Sequence, residues 1–248
     1  MINIALSTSI LYKEKKSVTD LADLLDRMKI ELAEIYMKEL LDESLLQRFI
    51  ATWDQDRYRT RTHLHAGIDL SRKLDSNSIK LIERSLQVSS RLNADAMTVH
   101  PGFHSRDMLI RNLLFLIELA DNYGIRICLE NGYKPGELCR KTEEILKILD
   151  NLSESGYNIR ATYDIGRSFQ AGENIYDSLN ILNKKGYLLN IHTVDHENNS
   201  YEIKALGEGV IDMTAVFKFR NSVWYVLELD SIEKTVKSIR FIEDNILQ

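Results

Sequence analysis

Prolines number only two in this chain of 248 residues, and cysteines only two, Cys128 and Cys139. Two cysteines make no disulfide framework, which sets aside the small stapled secreted folds and leaves reduced thiols in an intracellular, cytoplasmic protein as the expectation. With eleven glycines and no Ser/Pro/Gly-rich tract, the chain shows no linker and none of the composition of fibrous or disordered proteins. No apolar run approaches the roughly 20 residues that span a bilayer, so no membrane partner is expected. The first eleven residues lack a basic segment and a cleavage site, so no secretory signal is expected either. Positive charge is also short: 32 Lys and Arg stand against 37 Asp and Glu, a formal net charge of −5. That balance argues against a protein coating a long stretch of nucleic acid. It leaves room for a compact nuclease whose metals supply the positive charge.

What is present is a soluble globular composition, 44% hydrophobic and 28% charged. The length allows one large domain or two small ones. Three stretches read alike. Apolar-periodic helices over 105–123, 141–155 and 175–185 end at Gly124, Gly156 and Gly186, and each is followed by a short apolar run. Glycine just past a helix supplies the left-handed C′ residue, and the run after it predicts a buried strand. The alternation extends both ways, with strands predicted over 2–6, 30–36, 60–66, 96–100, 125–130, 157–164, 187–192 and 223–229. Helices are predicted over 17–28, 43–54, 76–92, 212–219 and 231–247, the first opened by Ser17 as N-cap. Eight strands alternating with helices predict one (β/α)8 barrel, a single domain over 1–248. The rival, a doubly wound open sheet, usually carries a glycine-rich phosphate turn after its first strand, and Leu6-Ser7-Thr8-Ser9-Ile10 has no glycine.

In such a barrel the active site forms at the C-terminal ends of the strands. Those ends are His63-Leu64-His65, His100, Glu130, Asp164, His192 and Glu228 for strands three to eight. Any one of them is explained by a solvated polar strand end. Six in succession bring oxygen and imidazole donors to one rim, where carboxylates without a cation would repel one another. Such donors suit a divalent metal.

The motifs LEN at 129–131, YDIGR at 163–167, IHTVD at 191–195, LGEG at 206–209 and LELD at 227–230 resemble the xylose isomerase-like TIM barrels. HAGIDL at 65–70 and VHPGF at 99–103 are similar to that family's third and fourth strand ends. The family includes sugar isomerases and epimerases, dehydratases and endonuclease IV. The resemblance implies one divalent ion held by Glu130, Asp164, His192 and Glu228, with Mn2+, Mg2+, Co2+ and Zn2+ all suitable. It further implies that Glu130 and Glu228 exchange protons with a small sugar-like substrate from opposite faces. Shifting a proton alpha to a carbonyl needs a base and an acid, while a metal polarises the oxygens. A dehydratase needs the same parts. Homo-oligomers occur among such proteins, and no sequence feature marks an interface.

The endonuclease IV alternative, a phosphodiesterase cutting at abasic sites, is implied in part. Residues matching its first two zinc sites are His65, His100, Glu130, Asp164, His192 and Glu228, so His65 and His100 are candidates for a second metal or for substrate. The three ligands of its third zinc are absent: Arg167 stands at one position, and Tyr201-Glu202-Ile203 at the others. Arg167 also replaces a histidine that touches substrate in the epimerases. It suits either a carboxylate or phosphate of the substrate, or a salt bridge to Asp195 or Glu130. Glu34 is a candidate for the pocket lining and Lys204 for an anionic substrate. His63, one layer below His65, is expected to be a hydrogen-bonded core histidine.

Overall fold

A computed structural model describes residues 2–38, 40–64, 68–197, 202–219 and 223–247. Eight parallel strands close into a barrel in chain order, β1 (Asn3–Ser7), β2 (Leu32–Tyr36), β3 (Arg59–His63), β4 (Ala96–Val99), β5 (Arg126–Glu130), β6 (Ile159–Asp164), β7 (Leu188–Thr193) and β8 (Trp224–Leu227). β8 returns to pair with β1, Asn3 lying opposite Trp224, so no edge is left open. The helices between them are α1 (Leu21–Met28), α2 (Glu43–Thr52), α3 (Ser76–Arg91), α4 (Arg106–Asp121), α5 (Thr142–Glu154), α6 (Ile175–Lys184), α7 (Met213–Val216) and α8 (Ile232–Asn245). Side chains of Asp42, Asp75, Ser105 and Ser231 accept from the third residue beyond them and so cap α2, α3, α4 and α8. After α4, α5 and α6, Gly124, Gly156 and Gly186 take positive φ values of 68, 89 and 75°.

The main apolar core lies between strands and helices. Outward positions such as Ile127 and Leu129 of β5, or Ala161 and Tyr163 of β6, meet the helix faces there. Alternation along each strand sends the intervening residues inside the barrel, where two small apolar groups form: Ala5, Leu32, Trp224 and Val226, and Ala96, Cys128 and Leu189. Between them the interior is polar. Thr98 and Thr162 hydrogen-bond at 2.8 Å, Asn190 donates to Thr162, and Arg61 donates to Asp95 and to the Leu189 carbonyl. The next inward position of each strand, toward its C-terminal end, holds Ser7, Glu34, His63, His100, Glu130, Asp164, His192 and Glu228. That layer is the floor of the site.

Three elements lie outside the sequence expectation. A short helix, Ser9–Lys13, follows β1, and a second, Ile165–Gln170, begins at once after β6. Asp195–His196 pairs antiparallel with Ile203–Lys204, a small hairpin over β7. The two helices have five and six residues and the hairpin strands two each, too short for a periodic pattern to declare itself.

Candidate metal centre

Glu130, at the end of β5, is fully buried (0% exposed). Its Oε1 lies 2.9 Å from His192 Nδ1, and its Oε2 lies 2.9 Å from His100 Nδ1 and 3.0 Å from Arg167 Nη1. His192 Nδ1 is also 3.1 Å from Glu228 Oε2. On its other side, His192 Nε2 is 2.8 Å from Glu34 Oε2. A carboxylate only accepts, so Nε2 carries the proton that Glu34 receives, and in the neutral ring Nδ1 presents its lone pair to Glu130 and Glu228. Glu130, Asp164, His192 and Glu228 each offer one donor atom, all within 4.8 Å of one another. Both oxygens of Glu130, and Nδ1 of His192, have no hydrogen-bond partner among the described residues. Buried carboxylates converging on one imidazole nitrogen suit a cation among them, and the donor set of three carboxylates and one imidazole fits a divalent ion.

The electrostatics agree with that arrangement. Burial raises the Glu130 carboxyl, but Arg167, His100 and His192 outweigh it and hold the group well below the ordinary carboxylate value. Glu228 is likewise raised by burial and then brought down to about 2, chiefly by His192. Burial pulls His192 down, while Glu34, Glu228 and Glu130 carry it well above its ordinary value. Asp164 goes the other way: burial lifts it to about 6 against the pull of Arg167. His192 and the Arg167 guanidinium therefore offset part of the negative charge gathered in the cluster.

The barrel mouth opens into a cavity of about 630 Å3 whose wall includes His63, His100, Arg167 and Glu228, with Tyr12, Phe103 and Tyr133 among its aromatic lining. A second space of about 390 Å3 adjoins it along Asp164, Arg167 and Glu228. The Glu228 side chain is 21% exposed and lines both, whereas Glu130 lies behind the wall.

Of the other residues singled out in the sequence, His65 lies outside the described residues. His100 sits on the cavity wall, its Nδ1 accepting from Arg167 Nη1 at 3.0 Å. Arg167 pairs with Glu130 and, through Nε, with Asp164 Oδ2 at 3.0 Å. It does not pair with Asp195, whose buried carboxylate accepts the backbone N–H groups of His196, Gly207, Gly209 and Ile211 instead. Glu34 is not part of the cavity wall: it is buried beneath His192, whose ring it holds. Lys204 is also absent from the wall and pairs with Glu197 and Glu202 at 2.9 and 3.1 Å. The expectation of a core histidine at 63 agrees with its burial, but its Nε2 departs from the hydrogen bonding expected of it. His63 is buried, yet its Nε2 has no partner among the described residues and stands 3.6 Å from Glu130 Oε2. Burial, reinforced by His100, lowers it to about 4. The signal in the sequence was its inward parity with His100 and Glu130, which alternation alone supplies.

The model of a family described as xylose isomerase-like TIM barrel matches residues 36–244. The chain belongs to that family. An uncharacterized protein of Methanocaldococcus jannaschii is 26% identical over 214 residues, covering 77% of this chain and 71% of the relative. A solved D-tagatose 3-epimerase-like protein superposes with a TM-score of 0.83 at 19% identity, covering 98% of this chain and 96% of that one. An IolI protein solved with a zinc atom gives 0.79 at 17% identity over 98% and 96%. Endonuclease IV from Thermus thermophilus gives 0.75 at 15% over 98% of each. Likeness at these identities establishes the barrel, and the proteins that share it differ in activity.

Proposed function

We propose that the chain is a divalent-metal-dependent isomerase or epimerase of a sugar or sugar derivative, moving a proton alpha to a carbonyl between Glu130 and Glu228. One observation carries the reading: four donors at the ends of β5 to β8 converge within 4.8 Å, with the buried Glu130 oxygens and His192 Nδ1 lacking hydrogen bonds. Glu130, Asp164, His192 and Glu228 would hold the ion. Bound there, it would polarise the substrate oxygens and lower the barrier to removing the neighbouring proton. Glu228, ionised and on the cavity wall, takes that proton, and Glu130 serves the opposite side of the centre. Glu34 keeps the His192 Nδ1 lone pair turned toward them. The aromatic lining of Tyr12, Phe103 and Tyr133 provides apolar faces that suit a sugar ring and exclude water from it.

The epimerase-like and zinc-bearing neighbours support this reading, and a cytoplasmic place fits two buried free thiols. A dehydratase would use the same groups. The phosphodiesterase alternative is disfavoured because Arg167, which stands where endonuclease IV carries a zinc ligand, is engaged with Glu130 and Asp164. The deciding test incubates the Mn2+-loaded protein with a panel of ketoses and keto acids in deuterated water. Exchange of an alpha proton that vanishes in Glu228→Gln is expected. No exchange across the panel, together with cleavage of a duplex carrying one abasic site, would replace this reading with the nuclease.

A further inference from the structure

Beside the four-donor centre stands a second group of metal-type donors. His63, His100 and Glu130 also offer one atom each within 4.8 Å, and Glu130 is common to both groups. Its two oxygens are divided between them: Oε1 faces His192, while Oε2 faces His100 at 2.9 Å, Arg167 at 3.0 Å and His63 at 3.6 Å. Two features of the second group need a positive charge. A guanidinium has no lone pair, so the 3.0 Å contact from Arg167 Nη1 makes His100 Nδ1 an acceptor. That lone pair then lies 2.9 Å from a carboxylate oxygen, an arrangement repulsive by itself. Arg167 Nη1, 3.0 Å from each, is the cation that reconciles them.

Nothing in this position is left to side-chain chance. Arg167 sits in the first turn of the helix Ile165–Gln170, its backbone N–H donating to Asp164 Oδ1 at 2.9 Å. Its Nε pairs with Asp164 Oδ2, and Nη1 also donates to the Asn131 carbonyl at 3.3 Å. The guanidinium stays charged at any working pH. Nη2 makes no hydrogen bond to a described residue, and the side chain lines both spaces at the barrel mouth.

We infer that Arg167 is a built-in cation occupying the second of two metal-type positions, so that the chain holds one divalent ion and the place of a second is filled by its own guanidinium. The inference rests on the proposed metal reading of the four-donor centre. A divalent ion entering between His63, His100 and Oε2 would meet the fixed positive charge, and must displace it or stay out.

The test is stoichiometry, which does not depend on turnover. Chelator-stripped protein is titrated with Mn2+ by calorimetry, and electron paramagnetic resonance reads whether bound ions are spin-coupled. Wild type is expected to take one equivalent with an uncoupled signal. Arg167→Ala is expected to take two, with coupling between them, and to return to one when His63→Ala is added. Arg167→Lys, which keeps a positive charge, is expected to remain at one. Arg167→Gln serves as a second charge-removing variant if circular dichroism shows Arg167→Ala to be unfolded. Two equivalents in wild type, or one in both folded charge-removing variants, would overturn the inference while leaving the four-donor centre standing. No Mn2+ bound by wild type or by any variant would bring down both.

Discussion

His192 shows what one residue owes to its neighbours. Its ring is useful to an ion only if Nδ1 is free and aimed inward, and Glu34 secures both by accepting a hydrogen bond from Nε2–H at 2.8 Å. Partners of this kind behind a metal-binding histidine are typically worth 10–100-fold in affinity. Glu34→Ala is therefore expected to weaken Mn2+ binding by roughly 10–100-fold in a calorimetric titration, with the far-ultraviolet circular dichroism unchanged. An unchanged affinity would show that packing alone orients the ring. The sequence marks Glu34 and His192 separately, as ends of the second and seventh strands. That they meet depends on closure of the barrel, which sets strands that are not neighbours across a shared interior. The cysteines make a second residue-scale case. Burial pushes the Cys128 thiol up to about 12 and raises Cys139 as well, so neither presents a thiolate at neutral pH. A thiol-disulfide reagent at pH 8 is expected to find no reactive thiol in the native chain and two after denaturation.

Among the elements, β7 carries the least legible step. Ala161 lies opposite Leu188, yet Thr162 lies opposite Asn190, so Leu189 is an extra residue in the pairing with β6. A bulge of one residue reverses the parity of everything after it. Leu188 and Ile191 thus both pack outward, while Asn190 and His192 turn inward. From the run Leu188-Leu189-Asn190-Ile191-His192 a strand is evident, but not this shift, because the deciding factor is registry with a neighbour. The loop after β7 poses the same problem. LGEG is recognisable as a motif, but its organiser is Asp195, a buried carboxylate that accepts four backbone N–H groups at 2.9 to 3.1 Å. Removing it strands four donors, each costing about 1–3 kcal/mol if left unsatisfied. Asp195→Ala is expected to lower the unfolding free energy by at least about 3 kcal/mol in urea titration, less any relief from water entering the gap. A loss below about 1 kcal/mol would mean that the loop is held by its apolar residues, such as Leu206 and Ile211.

At the scale of the whole molecule, strand-helix alternation and C′ glycines made all eight strands and the single barrel legible, with ends displaced by up to three residues, most at β3, which stops at His63. The rim carboxylates were legible as a list, and their joint charge explains a stability property of the entire chain. Glu34, Glu130, Asp164 and Glu228 are gathered at one end of the barrel, offset among the described residues by His192 and Arg167. An ion bound to the folded barrel has no comparable site in the unfolded chain, where these residues lie on separate strands, so binding shifts the folding equilibrium by mass action. At a free concentration 100 times its dissociation constant, Mn2+ adds about 2.7 kcal/mol. For a domain of this size that is a rise in Tm of roughly 5–10 °C. The rise should grow with the logarithm of Mn2+ concentration above saturation, disappear with chelator, and shrink sharply in His192→Ala. If Mn2+ raises Tm equally in wild type and His192→Ala, the ion acts elsewhere on the surface, and the four-donor centre is a network of charge without a metal.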